Sequence, residues 1–157
     1  MLRPPQTPRT ITWISKDLAI GAPSDADAWL ALRSRGVRAV VDLNSECGGV
    51  GDTVRDAGMR YLRLPVDSGG LPEAEELHIV ATWVLQRISE GGAALIHDPA
   101  GRGNDALVAC AVLVKRGGNA SKARSQLRSL AQNPLNNSQV TLLQRFVAQH
   151  VIAVNGR

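Results

Sequence analysis

Residues 97–105 combine charged side chains with glycines between two apolar segments. They read His-Asp-Pro-Ala-Gly-Arg-Gly-Asn-Asp and lie between the short apolar run 93–96 and the longer run 106–114. This order predicts a strand, a glycine-containing loop and the start of a helix. Such a loop directs backbone N–H groups and a helix dipole at one point, an arrangement that binds anions. The segment is therefore the first candidate for chemistry.

The elements that must position this loop can be traced along the chain. Residues 37–43 form a short β-branched run that is typical of a strand buried on both faces. Apolar runs between turn residues predict the strands, at residues 11–14, 18–20, 37–43, 59–64 and 93–96. Helical spacing and end signals predict the helices, from Ser24 to Gly36, at 52–57, from Pro72 to Ile88, and at 106–114, 119–132 and 138–151.

Strands that alternate with helices indicate an α/β fold. We expect a single domain with a central, largely parallel sheet of four to five strands flanked by helices. Ligand sites in such sheets lie beyond the carboxyl ends of the strands, and the loop after Ile96 occupies that position. Residues 1–9, with three prolines and two arginines, are predicted to be a flexible tail before a domain over residues 10–152 and a second tail at 153–157.

The composition is typical of a cytoplasmic globular protein. A chain of 157 residues, 44% apolar and 20% charged, can form one domain with a sizeable core. No segment approaches the ~18 apolar residues of a membrane span, and the first residues lack the apolar core of a signal peptide. Cys47 and Cys110 cannot make a disulfide framework. The net charge of +4 is mild and aromatic residues are few, so we expect neither a nucleic-acid partner nor a membrane.

The loop resembles the signature loop of the cysteine-dependent phosphatases, of the dual-specificity and tyrosine types, which reads His-Cys, five residues, Arg, then Ser or Thr. Asp98 stands at the cysteine position, Asn104 at the arginine position and Asp105 at the Ser/Thr position. His97 matches the family's histidine, which the resemblance implies orients the loop by hydrogen bonding. The positions between them complete the anion loop, namely Pro99, Ala100, Gly101, Arg102 and Gly103.

Three further stretches resemble the same family in the same order. Residues 18–43 are similar to the N-terminal half of a dual-specificity phosphatase domain, and residues 61–67 are similar to its general-acid loop and end at Asp67. Residues 134–146 fit its C-terminal helix. The resemblance covers about residues 10–150 and implies a fold like that of the dual-specificity phosphatases.

The resemblance implies a chemistry that this chain has largely lost. In the family, a cysteine thiolate attacks phosphorus, an arginine holds the phosphate and an aspartate protonates the leaving group. Asp67 keeps the last of these residue types, and we interpret it either as a remaining general acid or as a carboxylate that accepts turn hydrogen bonds beside Gly69 and Gly70. The Asp98 carboxylate would repel a phosphate, and the amide of Asn104 cannot replace a guanidinium fork.

Another interpretation is that the loop is filled by its own side chains. The Asp98 carboxylate would accept the loop N–H groups, while Asn104 and Asp105 would suit a helix N-terminus. Two alternatives remain open. Asp98 could attack phosphorus to form an acyl phosphate, or His97, Asp98, Asp105 and Asp67 could bind a metal ion.

Cationic side chains provide further candidate contacts. Arg102, the only cation of the loop, occupies a position that varies in the family and is expected to face solvent or a partner. A basic region around two predicted helices is either a solvated face or a site for an acidic partner. It consists of Lys115, Arg116, Lys122, Arg124 and Arg128.

We therefore expect a catalytically inactive dual-specificity-phosphatase-like protein that acts as a binding or regulatory module. We expect it to be monomeric, to need no cofactor and to bind a phosphorylated or acidic protein. The alternative is a phosphoesterase that hydrolyses phosphate monoesters or phosphoproteins by a non-cysteine, metal-assisted mechanism. A third hypothesis is that Asp98 and Asn104 are recent or engineered changes in an active parent.

Overall fold

Strands and helices alternate along the parts of the chain that the computed structural model describes, residues 9–45, 50–67, 69–131 and 135–152. In chain order they are β1 (Arg9–Ser15), β2 (Leu18–Ala22), α1 (Ala26–Ser34), β3 (Val37–Asp42), α2 (Gly51–Asp56), β4 (Arg60–Arg63), α3 (Ala74–Ser89), β5 (Ala93–His97), α4 (Asn104–Lys115), α5 (Ala120–Ala131) and α6 (Asn137–Val147). A π-helical turn, Ala148–Ile152, continues from α6. The expected single α/β domain is confirmed.

The sheet has the strand order β1-β2-β5-β3-β4. β1 pairs antiparallel with β2, and all other pairs are parallel, as predicted. β5 lies at the centre, where His97 pairs with Gly21 on one side and with Asp42 on the other. The last residue of β5 is thus held from both sides, and the loop after it leaves from the carboxyl edge of the sheet.

The central strands are buried on both faces because neighbouring side chains enter different cores. On β3, Val40 packs into one apolar cluster and Val41 into the other, and on β5 the same holds for Leu95 and Ile96. This alternation follows from the two-residue period of a strand. The predicted strand at 37–43 is confirmed over residues 37–42, all of which are buried except half-buried Arg38.

Helices cover both faces of the sheet. α1 and α2 supply Trp29, Leu32 and Val54 to one core, and α3 to α6 pack on the other face. Every residue of α4 from 104 to 112 is buried, so its apolar run packs on all sides. None of the described helices is long and apolar enough to cross a membrane.

Two helix starts differ from the sequence-based expectation. Asp25, rather than Ser24, caps α1, because its carboxylate accepts the N–H three residues on at 2.8 Å. Pro72 lies before α3, whose N-cap is Glu73; the Glu76 carboxylate accepts the Glu73 N–H at 2.9 Å. The predicted tails lie outside the described residues apart from position 9, which begins β1, and Cys47 also lies outside them.

Candidate functional site

The loop between β5 and α4 owes its shape to two glycines. Gly101 and Gly103 have φ angles of 70° and 86°, in the left-handed region that other residues rarely adopt. Gly103 is also the N-cap of α4, so the helix begins directly after the loop. The positive end of the helix dipole therefore lies at the loop, where the sequence predicted it.

A buried carboxylate fixes His97 at the end of β5. The Nδ1 atom of His97 lies 3.1 Å from Oδ1 of Asp42, and the Tyr61 hydroxyl donates to the other oxygen of that carboxylate. The N–H of Asn44 donates to Oδ1 of Asp42 at 3.1 Å, and the Trp29 ring meets the imidazole edge-on, with centroids 5.3 Å apart. This geometry suits the orienting role expected of His97.

The same contacts set the protonation of Asp42. Burial alone would raise the pKa of its carboxyl, but hydrogen bonds from His97, Tyr61 and the Asn44 N–H outweigh burial and hold that pKa below its ordinary value. Burial and the Asp42 carboxylate together raise the pKa of the Tyr61 hydroxyl. Sequence reasoning missed Asp42 as a site residue, although its position at the end of a predicted buried strand was an available signal.

Asp98 turns back onto the backbone of its own loop. Only 4% of its surface is exposed, and its Oδ1 accepts the N–H of Ala100 at 3.2 Å. Its own N–H donates to the carbonyl of Gly21 on β2 at 3.3 Å. The bond from Ala100 is one of the contacts expected if the Asp98 side chain fills the loop, and it engages a buried carboxylate where the resemblance puts the nucleophile.

Asn104 bridges two segments instead of capping α4. Its Nδ2 donates to the carbonyl of Gly70 at 3.2 Å, and its Oδ1 accepts from Nε2 of Gln139 at 3.1 Å. Nε2 of Gln139 also donates to the carbonyl of Arg102 at 3.0 Å. Gly103 is the N-cap of α4, so Asn104 is the first residue of the helix and Asp105 lies in its first turn, which agrees with the expectation that both suit a helix N-terminus. We call the contacts among Gly70, Arg102, Asn104 and Gln139 the amide bridge.

Gln139 is a site residue that sequence reasoning missed. Its side chain is 2% exposed, and its Oε1 accepts the N–H of Asn136 at 3.0 Å while its own N–H donates to Oδ1 of Asn136 at 2.9 Å. This reciprocal pair is the capping box of α6, so the Gln139 amide is fixed in orientation. The spacing of Asn136 and Gln139 could have located the helix start. That spacing does not indicate that the Gln139 side chain also contacts Asn104.

The residues predicted as an alternative metal cluster do not form one. The Nδ1 atom of His97 is engaged by Asp42, Asp98 binds its own loop, and fully buried Asp105 accepts the N–H of the next residue at 2.8 Å. Within the residues that the structure describes, no three His, Cys, Asp or Glu side chains are arranged to hold a metal ion. The geometry thus gives no support to a metal held by these residues together with Asp67.

A cavity of about 240 Å³ opens over the loop and is lined by Asp67, Asp98, Arg102 and Asn104, among others. Asp67 is exposed, and among the described residues its carbonyl, rather than its carboxylate, accepts the turn hydrogen bond, from the Gly70 N–H at 2.7 Å. The expected carboxylate contact within that turn is therefore not formed there. Arg102 is exposed as expected, yet its side chain also borders the cavity.

The protein has the fold of the cysteine-dependent phosphatase class. Its features are a mostly parallel sheet, a glycine-containing loop after the central strand and a helix that starts at that loop. Within that class, the model of the family Tc-R-P, described as polymorphic toxin system DSP-PTPase phosphatase, matches residues 18–118. The chain belongs to that family. No curated protein matches the chain.

Solved structures share this fold over nearly the whole chain. PTPMT1 has a TM-score of 0.82 at 22% identity, covering 94% of this chain and 100% of that one. A mouse putative dual specificity phosphatase has a TM-score of 0.76 at 21% identity, with 99% and 94% covered. Human DUSP28 has a TM-score of 0.74 at 24% identity, with 92% and 94% covered. At these identities the likeness shows the fold alone.

Proposed function

We propose that this chain is a catalytically inactive member of its phosphatase family that acts as a binding or regulatory module. The amide bridge is the observation that carries this proposal. At the position of the phosphate-holding arginine, both polar atoms of Asn104 are used, in hydrogen bonds to Gly70 and Gln139. The residue is neutral, buried and engaged within the protein.

Electrostatics at Asp98 supports the same conclusion. Two unit charges ~4 Å apart repel by roughly 4 kcal/mol at an effective dielectric of about 20. One charge-assisted hydrogen bond contributes only about 1.5–3 kcal/mol. A phosphate ester placed over the loop would therefore meet more repulsion from Asp98 than a single loop donor could offset.

A second candidate function is hydrolysis through an acyl phosphate, and one observation favours it, since Asp67 and Asp98 line the same cavity. The Asp98 carboxylate would attack phosphorus while the ester P–O bond breaks, and Asp67 would protonate the departing oxygen. Water would then hydrolyse the acyl phosphate and regenerate Asp98. A divalent cation from solution would be needed to offset the repulsion between Asp98 and the phosphate.

The partner that we propose is a phosphorylated or acidic protein, bound by a monomer in the cytoplasm. Because the description of the family refers to polymorphic toxin systems, the first candidate partner to test is a protein component of such a system.

Turnover of p-nitrophenyl phosphate by the purified full chain, with and without Mg²⁺, tests the proposal. We expect no turnover by the natural chain in either condition. The variant Asp98→Cys/Asn104→Arg restores a thiolate and a guanidinium and is expected to turn over, whereas its matched control Asp98→Cys/Asn104→Gln lacks the cation and should stay silent. Turnover by the natural chain that disappears in Asp98→Ala would overturn the proposal and assign a catalytic role to Asp98, as the acyl-phosphate mechanism requires.

A further inference from the structure

The charges of this chain are divided unevenly along its length. All 14 acidic residues lie at or before Asp105, whereas residues 106–157 contain seven Lys or Arg and no Asp or Glu. The helices that follow the loop therefore carry a positive charge that nearby sequence does not balance.

Two of these cations are already engaged at the end of α4. Nζ of Lys115 lies 3.0 Å from Nδ1 of His78, and Nη1 of Arg116 lies 3.0 Å from Oδ1 of Asp17. The cations of α5, in contrast, are not engaged by carboxylates of the described residues, since Lys122, Arg124 and Arg128 form no ion pair with any of them.

α5 is firmly docked and can present these cations on a rigid support. Ala123 and Leu127 are buried against the core, with exposures of 3% and 1%. Nε2 of Gln126 donates to the carbonyl of Ile14 on β1 at 3.0 Å. The orientation of the helix is therefore set by packing on one side, and its other side faces solvent.

Most of the exposed side chains of α5 are hydrogen-bond donors. Lys122 and Arg128 are exposed, and half-buried Arg124 lies one helical turn before Arg128. Exposed serines recur at every fourth position among them, at Ser121, Ser125 and Ser129. We call these six residues the basic helix face.

We propose that the basic helix face is the docking surface for an acidic protein segment. Guanidinium, ammonium and hydroxyl groups all donate to carboxylates, and two arginines one turn apart suit carboxylates at similar spacing. This inference rests on the proposed function of a binding module. It places the contact on α5, away from Asp98 and the cavity over the loop.

Nucleic acids and anionic membranes also attract cations, but the face fits them less well. α5 carries no aromatic side chain on which a base could stack. Three cations are few beside the roughly 6–10 phosphate contacts of salt-sensitive nucleic-acid binders. Leu130 is the only exposed large apolar side chain on α5, which is too little to insert into a bilayer.

Fluorescence anisotropy with a labelled helical peptide that carries glutamate at every fourth position tests the proposal in the full chain. The variant Lys122→Glu/Arg124→Glu/Arg128→Glu is expected to weaken binding about tenfold or more at physiological salt. The matched control, Lys16→Glu/Arg35→Glu/Arg60→Glu, reverses three exposed cations elsewhere and should stay within about twofold of the natural chain. Circular dichroism checks that both variants are folded, and a triple Gln variant of the α5 cations offers a milder change.

Equal losses in the two Glu variants would show attraction by net charge alone and would overturn the proposal. Tighter binding of duplex DNA, or of phosphatidylserine vesicles, than of the acidic peptide would overturn it in favour of those partners. The phosphatase assay is independent of these results. If the chain turned over phosphate and still bound the peptide through α5, the proposal of inactivity would be wrong. The proposal of docking on the basic helix face would still hold.

Discussion

Asn104 shows how one side chain changes what a loop can do. A guanidinium at this position would direct several donors towards an anion. The shorter amide instead reaches Gly70 and Gln139 at 3.2 and 3.1 Å. Both polar atoms of the Asn104 side chain are thus used in hydrogen bonds within the protein.

Replacing Gln139 with Leu should destabilise the protein. The change leaves the buried Oδ1 of Asn104 and the carbonyl of Arg102 without this donor, which costs about 1–3 kcal/mol. Because each kcal/mol shifts the Tm of a protein of this size by about 2–4 °C, thermal unfolding should show a drop of several degrees. Gln144→Leu, an exposed change on the same helix, is the control and should leave the Tm nearly unchanged. Equal Tm values for the two variants would contradict the role of the amide bridge.

Cys110 should be inert in the folded protein. The thiol is fully buried in α4, and burial raises its pKa to about 12. In a Cys47→Ser background, we expect a thiol reagent such as DTNB at about pH 8 to react only after a denaturant is added, because the thiolate is the reactive form. Rapid labelling without denaturant would mean that α4 opens locally in the native state.

At the scale of elements, the π-helical turn after α6 is held by two stacked histidines. The rings of His78 on α3 and His150 have centroids 4.3 Å apart and planes inclined by 12°. Nζ of Lys115 lies 3.0 Å from Nδ1 of His78, and a Glu75 oxygen lies 3.3 Å from Nε2 of His150. Since an ammonium can only donate, Nδ1 of His78 accepts and that imidazole is neutral.

This cluster predicts a loss of stability in mild acid. Burial, then the charges of Lys115 and His150, lower the pKa of His78 below its ordinary 6.5, and Glu75 acts in the opposite direction. Between pH 6.5 and the lower pKa of folded His78, this imidazole is protonated in the unfolded chain but largely neutral in the folded protein. The free energy of unfolding should therefore fall as the pH drops from 6.5 towards the folded pKa of His78. Urea unfolding at about pH 7.5 and 5.5 measures this fall.

Two variants separate this effect from the other titrating groups. His78→Gln removes the group and should show a smaller fall in unfolding free energy than the natural chain. Lys115→Met keeps the ring stack but removes the ammonium, so the pKa of His78 should rise towards its ordinary value and the fall should shrink. Identical falls in all three proteins would contradict the assignment to His78.

Sequence periodicity predicted the elements well but not the contacts between them. The valines of β3 and the apolar run of α4 mark their elements because burial repeats with the period of the element itself. The contact of Asn104 with Gln139 spans 35 positions, and that of His97 with Asp42 spans 55. Neither leaves a periodic signal. The motif at residues 97–105 located the loop, while the partners that determine its state came only from the tertiary structure.

At the scale of the whole molecule, we expect a monomer. The exposed large apolar side chains among the described residues are few and lie on different segments, namely α1, the residues before α3, α3 and α5, and they do not suggest one interface. They are Leu30, Leu71, Ile79 and Leu130. Light scattering should give a mass near 16.7 kDa that does not rise with concentration. Ile79→Ser, at the most exposed of the four, is the control and should not change that mass.

The amide bridge joins three parts of the chain into one mechanical unit. Gly70 belongs to the segment after β4, Asn104 begins α4 and Gln139 lies in the first turn of α6. A surface loop ordinarily opens at little cost, without disturbing the rest of a fold. Here the segment at Gly70 cannot swing away unless it breaks its bond to the first residue of a buried helix. The segment at Gly70 is therefore coupled to the start of α6 through Asn104, which also lines the cavity. A displacement at the start of α6 is expected to shift Asn104 and so change the shape of the cavity.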